Sequence, residues 1–435
     1  MPATNQYQLL RHRGLRAHHR PIFRSPPAKI NLDRIRIGGI APFPRSLKLP
    51  GGRLPDMIYF DHNATAPMLL EAQQAWLEAS QQFPGNPSSP HRIGARADAA
   101  LTRAREQLAD LLDCDPLDLV WTSGATESNN SALYHASTTL PADQSIWLSA
   151  IEHPCLLAAA QRWFPNRHRF IPVTPDGIVD PDPLRADLQH TRPGLLAIMA
   201  ANNETGVLQP WPELAALCRE FQVPFLCDAA QWIGRLPARG LGACDFVSGC
   251  AHKFGGPKGV GFLKCPSQSH LTPLIVGGPQ EDGRRAGTEN VPSILAMVAA
   301  LQIREQAIAG NEHSALGARR EAFESQLLLN LPGSVIVGAN SPRLWNTVSA
   351  LMPETDCRQR WVVKLDKAGV AVSTGSACAS GKESPSHVLA AMGFRPEEAS
   401  RVLRFSAGWE TTDTDWKTLE QAMTTVHQSL LETTP

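Results

Sequence analysis

The chain has 435 residues, of which 41 are basic and 41 acidic, so its formal charge at pH 7 is zero. That length exceeds what one hydrophobic core organises and predicts two domains, while the even charge offers no field for nucleic acid or an anionic membrane. No apolar run approaches the roughly 18 residues that cross a bilayer, no metal-ligand spacing stands out, and nine irregularly spaced cysteines fit reduced thiols in a cytoplasmic protein better than a disulfide framework.

The neutral total hides an asymmetry. Residues 1–55 hold eleven Lys or Arg and a single acid, Asp33, for a local charge of +10 against −10 in the remainder. With repeated Pro and Gly and little apolar periodicity, residues 1–56 are expected to form a disordered basic extension. It reads as a targeting arm, a nucleic-acid tail, or sequence translated upstream of a start at Met57; without an apolar core segment it is not a secretory signal.

From Met57 onward, "MIYFDHNATAP" opens with a strand and turn, after which short apolar runs alternate with helical stretches. That alternation is the pattern of βαβ units on a mostly parallel sheet. Strands are predicted at 118–123, 145–150, 194–200, 223–229, 244–250 and 260–265, most of them ending in polar or small residues. Open α/β sheets bind ligands beyond the carboxyl ends of their strands, so the chemistry belongs in those tails. After about residue 310 come a long charged helix over 312–330, short strands near 335–337, 346–352 and 370–373, and a last helix over 413–431. These predict a smaller α+β domain, 311–435, beside a large domain, 57–310, with 57–70 near the junction.

"SGCAHKFGGPKGVG" (248–261) puts Lys253 between a strand and a Gly-rich turn, where a lysine shielded from water can form a Schiff base with an aldehyde cofactor. Its plainer reading is a solvated loop lysine, and the spacing is not that of a P-loop. Asp228 closes the apolar run "VPFLCDAAQ"; it either meets a cation such as a protonated pyridine nitrogen or simply caps a helix. In "TSGATES" (122–128), Gly124, Ala125 and Thr126 offer N–H groups and a hydroxyl to a phosphate, or ordinary capping. His153 in "SAIEHPC" can stack on a cofactor and shuttle protons, or be structural. Asn203 in "ANNETG" and Gln231 in "DAAQ" bring amides to two more strand ends. Cys378 lies in the Gly/Ser-rich stretch "STGSACASGKESPSHVL" (373–389), expected to be exposed and mobile as a reactive thiolate requires. No C-x-x-C pair exists, which argues against zinc.

Together with "DHNATAP", "GNPSSPHRIGARA", "NNETGVLQP", "GRRAGTENVP" and "RFSAG", these blocks resemble, in content and order, the cysteine desulfurases of the class V aminotransferase group. The likeness is to the nitrogen-fixation and iron–sulfur-assembly branch and extends from Met57 to the C-terminus. It implies a fold-type-I α/β homodimer, pyridoxal 5'-phosphate as cofactor, L-cysteine as substrate and a sulfur-acceptor protein as partner. It further implies Lys253 as the Schiff-base lysine, His153 stacked on the ring and Asp228 at the pyridine nitrogen. Ala125, Thr126 and His252 would hold the phosphate, joined by Thr288 of the neighbouring subunit, with Asn203 and Gln231 on the ring-oxygen side. Arg404 would pair its guanidinium fork with the substrate carboxylate, and Cys378 would take the sulfur as a persulfide, leaving alanine. Rivals are a selenocysteine lyase or aminotransferase on the same fold, and a sulfur-relay or scaffold protein without turnover. Two departures bear on cofactor affinity and surface contacts: Cys250-Ala251 stands where the family has Ser-Gly, and Pro279 and Asp282 stand where relatives read Gly and Arg in "GGGQERG".

Overall fold

In the computed structural model, which describes residues 57–354, 358–374 and 386–431, the six predicted strands of the large lobe all form. After the two-residue strand β1 (Ile58–Tyr59) come β2 (Leu119–Thr122), β3 (Ile146–Ser149), β4 (His168–Ile171), β5 (Leu195–Ala197), β6 (Phe225–Asp228), β7 (Phe246–Cys250) and β8 (Gly261–Lys264). The last seven make one sheet in the order β2-β8-β7-β6-β5-β3-β4. All run parallel except β8, which is antiparallel to both neighbours.

Every residue of β2, β3, β5, β6, β7 and β8 is buried, as expected when both faces of a sheet are covered. Successive residues point to opposite faces, so Val120, Leu195, Leu226 and Phe246 enter one core while Trp121, Leu196, Cys227 and Val247 enter the other. β4 was not predicted, and its pattern explains why. It is an edge strand, its sequence is His-Arg-Phe-Ile, and only Ile171 is buried. Arg169 lies over the Trp147 ring at 4.7 Å and pairs with Asp187 at 2.6 Å, charged cover typical of a sheet edge.

The small lobe contains β9 (Val335–Ile336), β10 (Thr347–Leu351), β11 (Val370–Ala371) and β12 (Val402–Ser406), with the predicted helices at Glu312–Asn330 and Asp413–Leu431. β10 pairs antiparallel with β12 and β9, around a core that includes Phe323, Trp361, Phe405 and Trp416. Phe60 enters this core, and β1 pairs parallel with β11, so the first described residues pack with the last part of the chain. The turn that follows β1, residues 61–65, is thereby carried to the large lobe's strand ends.

No helix among the described residues is long and apolar enough to cross a membrane. The seven cysteines among them are all unbridged. Residues 1–56, Cys357 and Cys378 lie outside the described residues.

Candidate active site

The segments leaving β2, β3, β5, β6 and β7 converge with the entry to β8 around a cavity of about 600 Å³. Nine of the sequence-predicted residues line it: Gly124, Ala125, Thr126, His153, Asn203, Asp228, Gln231, His252 and Lys253.

The first wall is the turn from β2 into helix Ala125–Thr139. Gly124 makes that turn at φ 150°, a conformation open essentially to glycine, and precedes a helix whose first residues, Ala125, Thr126 and Glu127, line the cavity. A side chain on Gly261 of β8 would put its Cβ 2.7 Å from the Gly124 Cα, so the turn lies flat on the sheet. Glu127 closes the turn by accepting the Ser123 N–H at 2.8 Å and pairing with Arg285 at 2.9 Å. Burial raises its pKa, but hydrogen bonds from Arg285 and Ser123 outweigh that and hold the carboxyl below the usual range.

At the end of β6, Asp228 Oδ2 accepts the Asn129 side-chain N–H at 2.8 Å and Oδ1 accepts the Ala230 N–H at 3.0 Å. The Ala230 bond is the turn-capping role that the plainer reading allowed, and it leaves the carboxylate on the cavity wall. His153 is also double-duty. Its Nδ1 accepts the Cys155 N–H at 3.2 Å as N-cap of helix Pro154–Trp163, which leaves the ring proton on Nε2. Burial lowers its pKa, so the ring favours the neutral form.

On the opposite side, Lys253 donates through Nζ to the backbone carbonyls of Asn63 and, at 2.9 Å, Ala64. Gln231 donates its Nε2 to the same Asn63 carbonyl at 3.0 Å, while its Oε1 is buried with no partner among the described residues. His252 stands 3.3 Å from the Thr65 hydroxyl. Burial, reinforced by Lys253, Lys258 and Arg235, pulls its pKa down to about 4, so near pH 7 it offers an N–H but no charge. The Cys250 thiol lies within hydrogen-bonding reach of the Ala125 N–H and is pushed up to about 11 by burial, so it stays protonated at the cradle.

Two predicted residues lie elsewhere. Arg404, on β12, is not among the residues that line the cavity but bonds to one that is, donating from Nη1 to the Asn203 carbonyl at 2.9 Å and from Nη2 to Asp61 at 2.7 Å. Thr288 is exposed and does not line this chain's cavity. Sequence reasoning missed Asn129 as the partner of Asp228, Cys155 on the cavity wall, and the bracing of Lys253 by Asn63. Asn129 had a legible signal, a polar residue on the helix face that Ser128 and Ala132 bury.

The class-V aminotransferase family matches residues 58–419, five-sixths of the chain. The chain belongs to the class-V aminotransferase family. Among class-V relatives, a cysteine desulfurase of Klebsiella pneumoniae is 40% identical over 356 residues, covering 80% of this chain and 87% of that protein. A solved NifS-like protein superimposes with TM-score 0.78 at 29% identity, covering 86% of this chain and all of that one. A solved structure of SspA in complex with cysteine gives TM-score 0.69 at 28% identity, covering 81% and 99% of the two chains.

Proposed function

We propose that this class-V protein is a pyridoxal 5'-phosphate-dependent cysteine desulfurase that moves the sulfur of L-cysteine onto Cys378 as a persulfide and releases L-alanine. The observation that carries the reading is the convergence of Lys253, Asp228, His153 and the start of helix Ala125–Thr139 on one cavity. The similar cysteine desulfurases and the cysteine-bound relative support the substrate.

The donor set fits the cofactor group by group. Lys253 is an amine for the aldehyde, Asp228 a strand-end carboxylate for a protonated ring nitrogen, and the neutral His153 ring a flat surface for stacking. The helix N-terminus at Ala125 and Thr126, with His252, suits a phosphate, and the buried, unpartnered Gln231 Oε1 supplies a polar atom beside Lys253, with Asn203, for the ring-oxygen side. When bound, pyridoxal phosphate supplies an electron sink conjugated to the substrate's Cα. Lys253 takes the Cα proton and holds it at Nζ. His153, with its proton on Nε2, donates a hydrogen bond on the cavity side and so assists proton transfer at the substrate. The Cys378 thiolate attacks the substrate sulfur: an S–S bond forms, the Cβ–S bond breaks, and its electron pair remains with the carbon skeleton, which is protonated to alanine. Arg404 recognises the substrate carboxylate. The protein works in the cytoplasm as a homodimer, with Thr288 of each subunit completing the other's phosphate site in its large domain, and hands the persulfide sulfur to an acceptor protein.

Replacing Cys378 with Ala tests the reading. Cofactor absorbance and L-cysteine binding should persist while alanine release is abolished, and Lys253→Ala should stop turnover altogether. Near-wild-type alanine formation without Cys378 would remove it as the acceptor.

A further inference from the structure

The turn after β1 carries a carboxylate that the reaction above does not use. Asp61 Oδ1 accepts from Nη2 of Arg404 at 2.7 Å, and Nη1 of the same guanidinium donates to the carbonyl of Asn203, a cavity residue. The Arg404 side chain is 3% exposed and that of Asp61 22%, so the pair is screened far less than a surface pair. Arg404 Nε is buried with no partner among the described residues.

Asp61 is itself firmly seated. The Tyr59 hydroxyl donates to the carbonyls of Asp61 at 3.1 Å and Thr65 at 3.0 Å, and the Ala64 N–H closes onto the Asp61 carbonyl at 3.0 Å. The His62 N–H donates to the Ser406 carbonyl on β12 at 3.0 Å, two residues from Arg404. This same short turn receives Lys253 on the carbonyls of Asn63 and Ala64. One turn therefore touches both the amine and the guanidinium.

We propose that Asp61 is a positioning residue: it holds the Arg404 guanidinium at the Asn203 wall, so that its remaining N–H groups meet the carboxylate of an amino-acid substrate in fixed relation to Lys253. The inference rests on the reading of Arg404 as the carboxylate-recognising group. A guanidinium has five donors in a rigid fork but hangs on a flexible stem, so a partner that anchors one edge leaves the rest pre-organised. Asp61 touches neither substrate nor cofactor, and its effect falls on recognition rather than on proton transfer.

L-alanine and ethylamine differ only in the carboxylate, and neither has sulfur to lose. Their equilibrium binding is to be measured on the cofactor-loaded wild type, Asp61→Ala, Asp61→Asn and Arg404→Lys. Asp61→Ala should weaken L-alanine about tenfold and leave ethylamine unchanged, while Asp61→Asn, whose side-chain oxygen can still accept from Nη2, stays within about threefold of wild type for both. Turnover of L-cysteine by Asp61→Ala should show a raised KM with kcat retained. Asp61→Ala binding L-alanine as tightly as wild type, or losing both ligands equally, overturns the proposal. If Arg404→Lys also leaves the preference for L-alanine intact, the reading of Arg404 fails and the proposal falls with it. If Arg404→Lys loses that preference while Asp61→Ala keeps it, the role of Asp61 alone is refuted. Should Asp61→Ala not fold, Asp61→Ser, too short to reach the guanidinium, carries the same expectation.

Discussion

Glu152, next to His153, is fully buried, with Oε1 accepting the Ser149 hydroxyl and the Met199 N–H at 2.9 Å and Oε2 unpartnered among the described residues. Burial, with a smaller push from Asp228, raises its pKa from 4.5 to about 8. Between those values the folded chain binds a proton that the unfolded chain has released. This contribution to stability is thus fully present below pH 4.5 and is lost as pH rises through about 8. Glu152→Gln, similar in shape and never charged, should be more stable than wild type at pH 8 by a few kcal/mol, on the order of the linkage energy, with the gap closing toward pH 4.5. Urea unfolding at several pH values measures this; parallel pH profiles for the two proteins would refute it. At this same scale, His153 and Asp228 show why single residues read ambiguously: each caps a turn and lines the cavity at once. Capping leaves a strand-end side chain facing the ligand side, so the two readings are compatible.

At the scale of elements, the turn from β2 into helix Ala125–Thr139 depends on two glycines for different reasons. Gly124 needs its backbone angle, since a Cβ there would meet nothing closer than Cys250 Cβ at 3.9 Å. Gly261 needs its missing side chain, since a Cβ would fall 2.4 Å from the Gly249 carbonyl oxygen. Gly124→Ala should therefore give a folded protein, destabilised by about 1–3 kcal/mol of backbone strain, with cofactor affinity reduced roughly tenfold because the cradle's N–H groups are re-aimed. Gly261→Ala should be the more damaging, a clash between backbones that neither strand can relieve. Thermal unfolding and cofactor dissociation constants compare the two, and unchanged cofactor affinity in Gly124→Ala would argue against a phosphate at this turn. The inner strands were legible because burial on both faces demands continuous apolar runs. The edge strand β4, and β12 with Arg404 at its centre, carry charge where that pattern expects none.

For the whole molecule, the family match begins at residue 58, and residues 1–55 combine a charge of +10 with too little apolar content to offset an ordering cost of about 1–2 kcal/mol per residue. A chain starting at Met57 should fold, bind the cofactor and turn over cysteine within about tenfold of the full chain (~1.4 kcal/mol). Insolubility of the shortened chain, or a greater loss of activity, would show that the extension packs on the enzyme.

The sequence by itself specified the mostly parallel sheet and pointed to its strand ends as the ligand side, because apolar periodicity specifies strands and ligands of such a sheet sit at their carboxyl ends; His252 came from the family resemblance alone. Only the tertiary structure decided what surrounds the cavity residues. Asp61 and Arg404 are 343 positions apart, Asn63 and Lys253 190, and Asn129 and Asp228 99. Each contact is a hydrogen bond between groups on separate elements; the first two depend on β1 pairing with β11, which returns the chain's first turn to the large lobe, and the third on helix Ala125–Thr139 packing beside β6. Hydrogen bonds of that kind leave no periodic trace in a sequence, since they depend on where two elements meet rather than on what either one repeats.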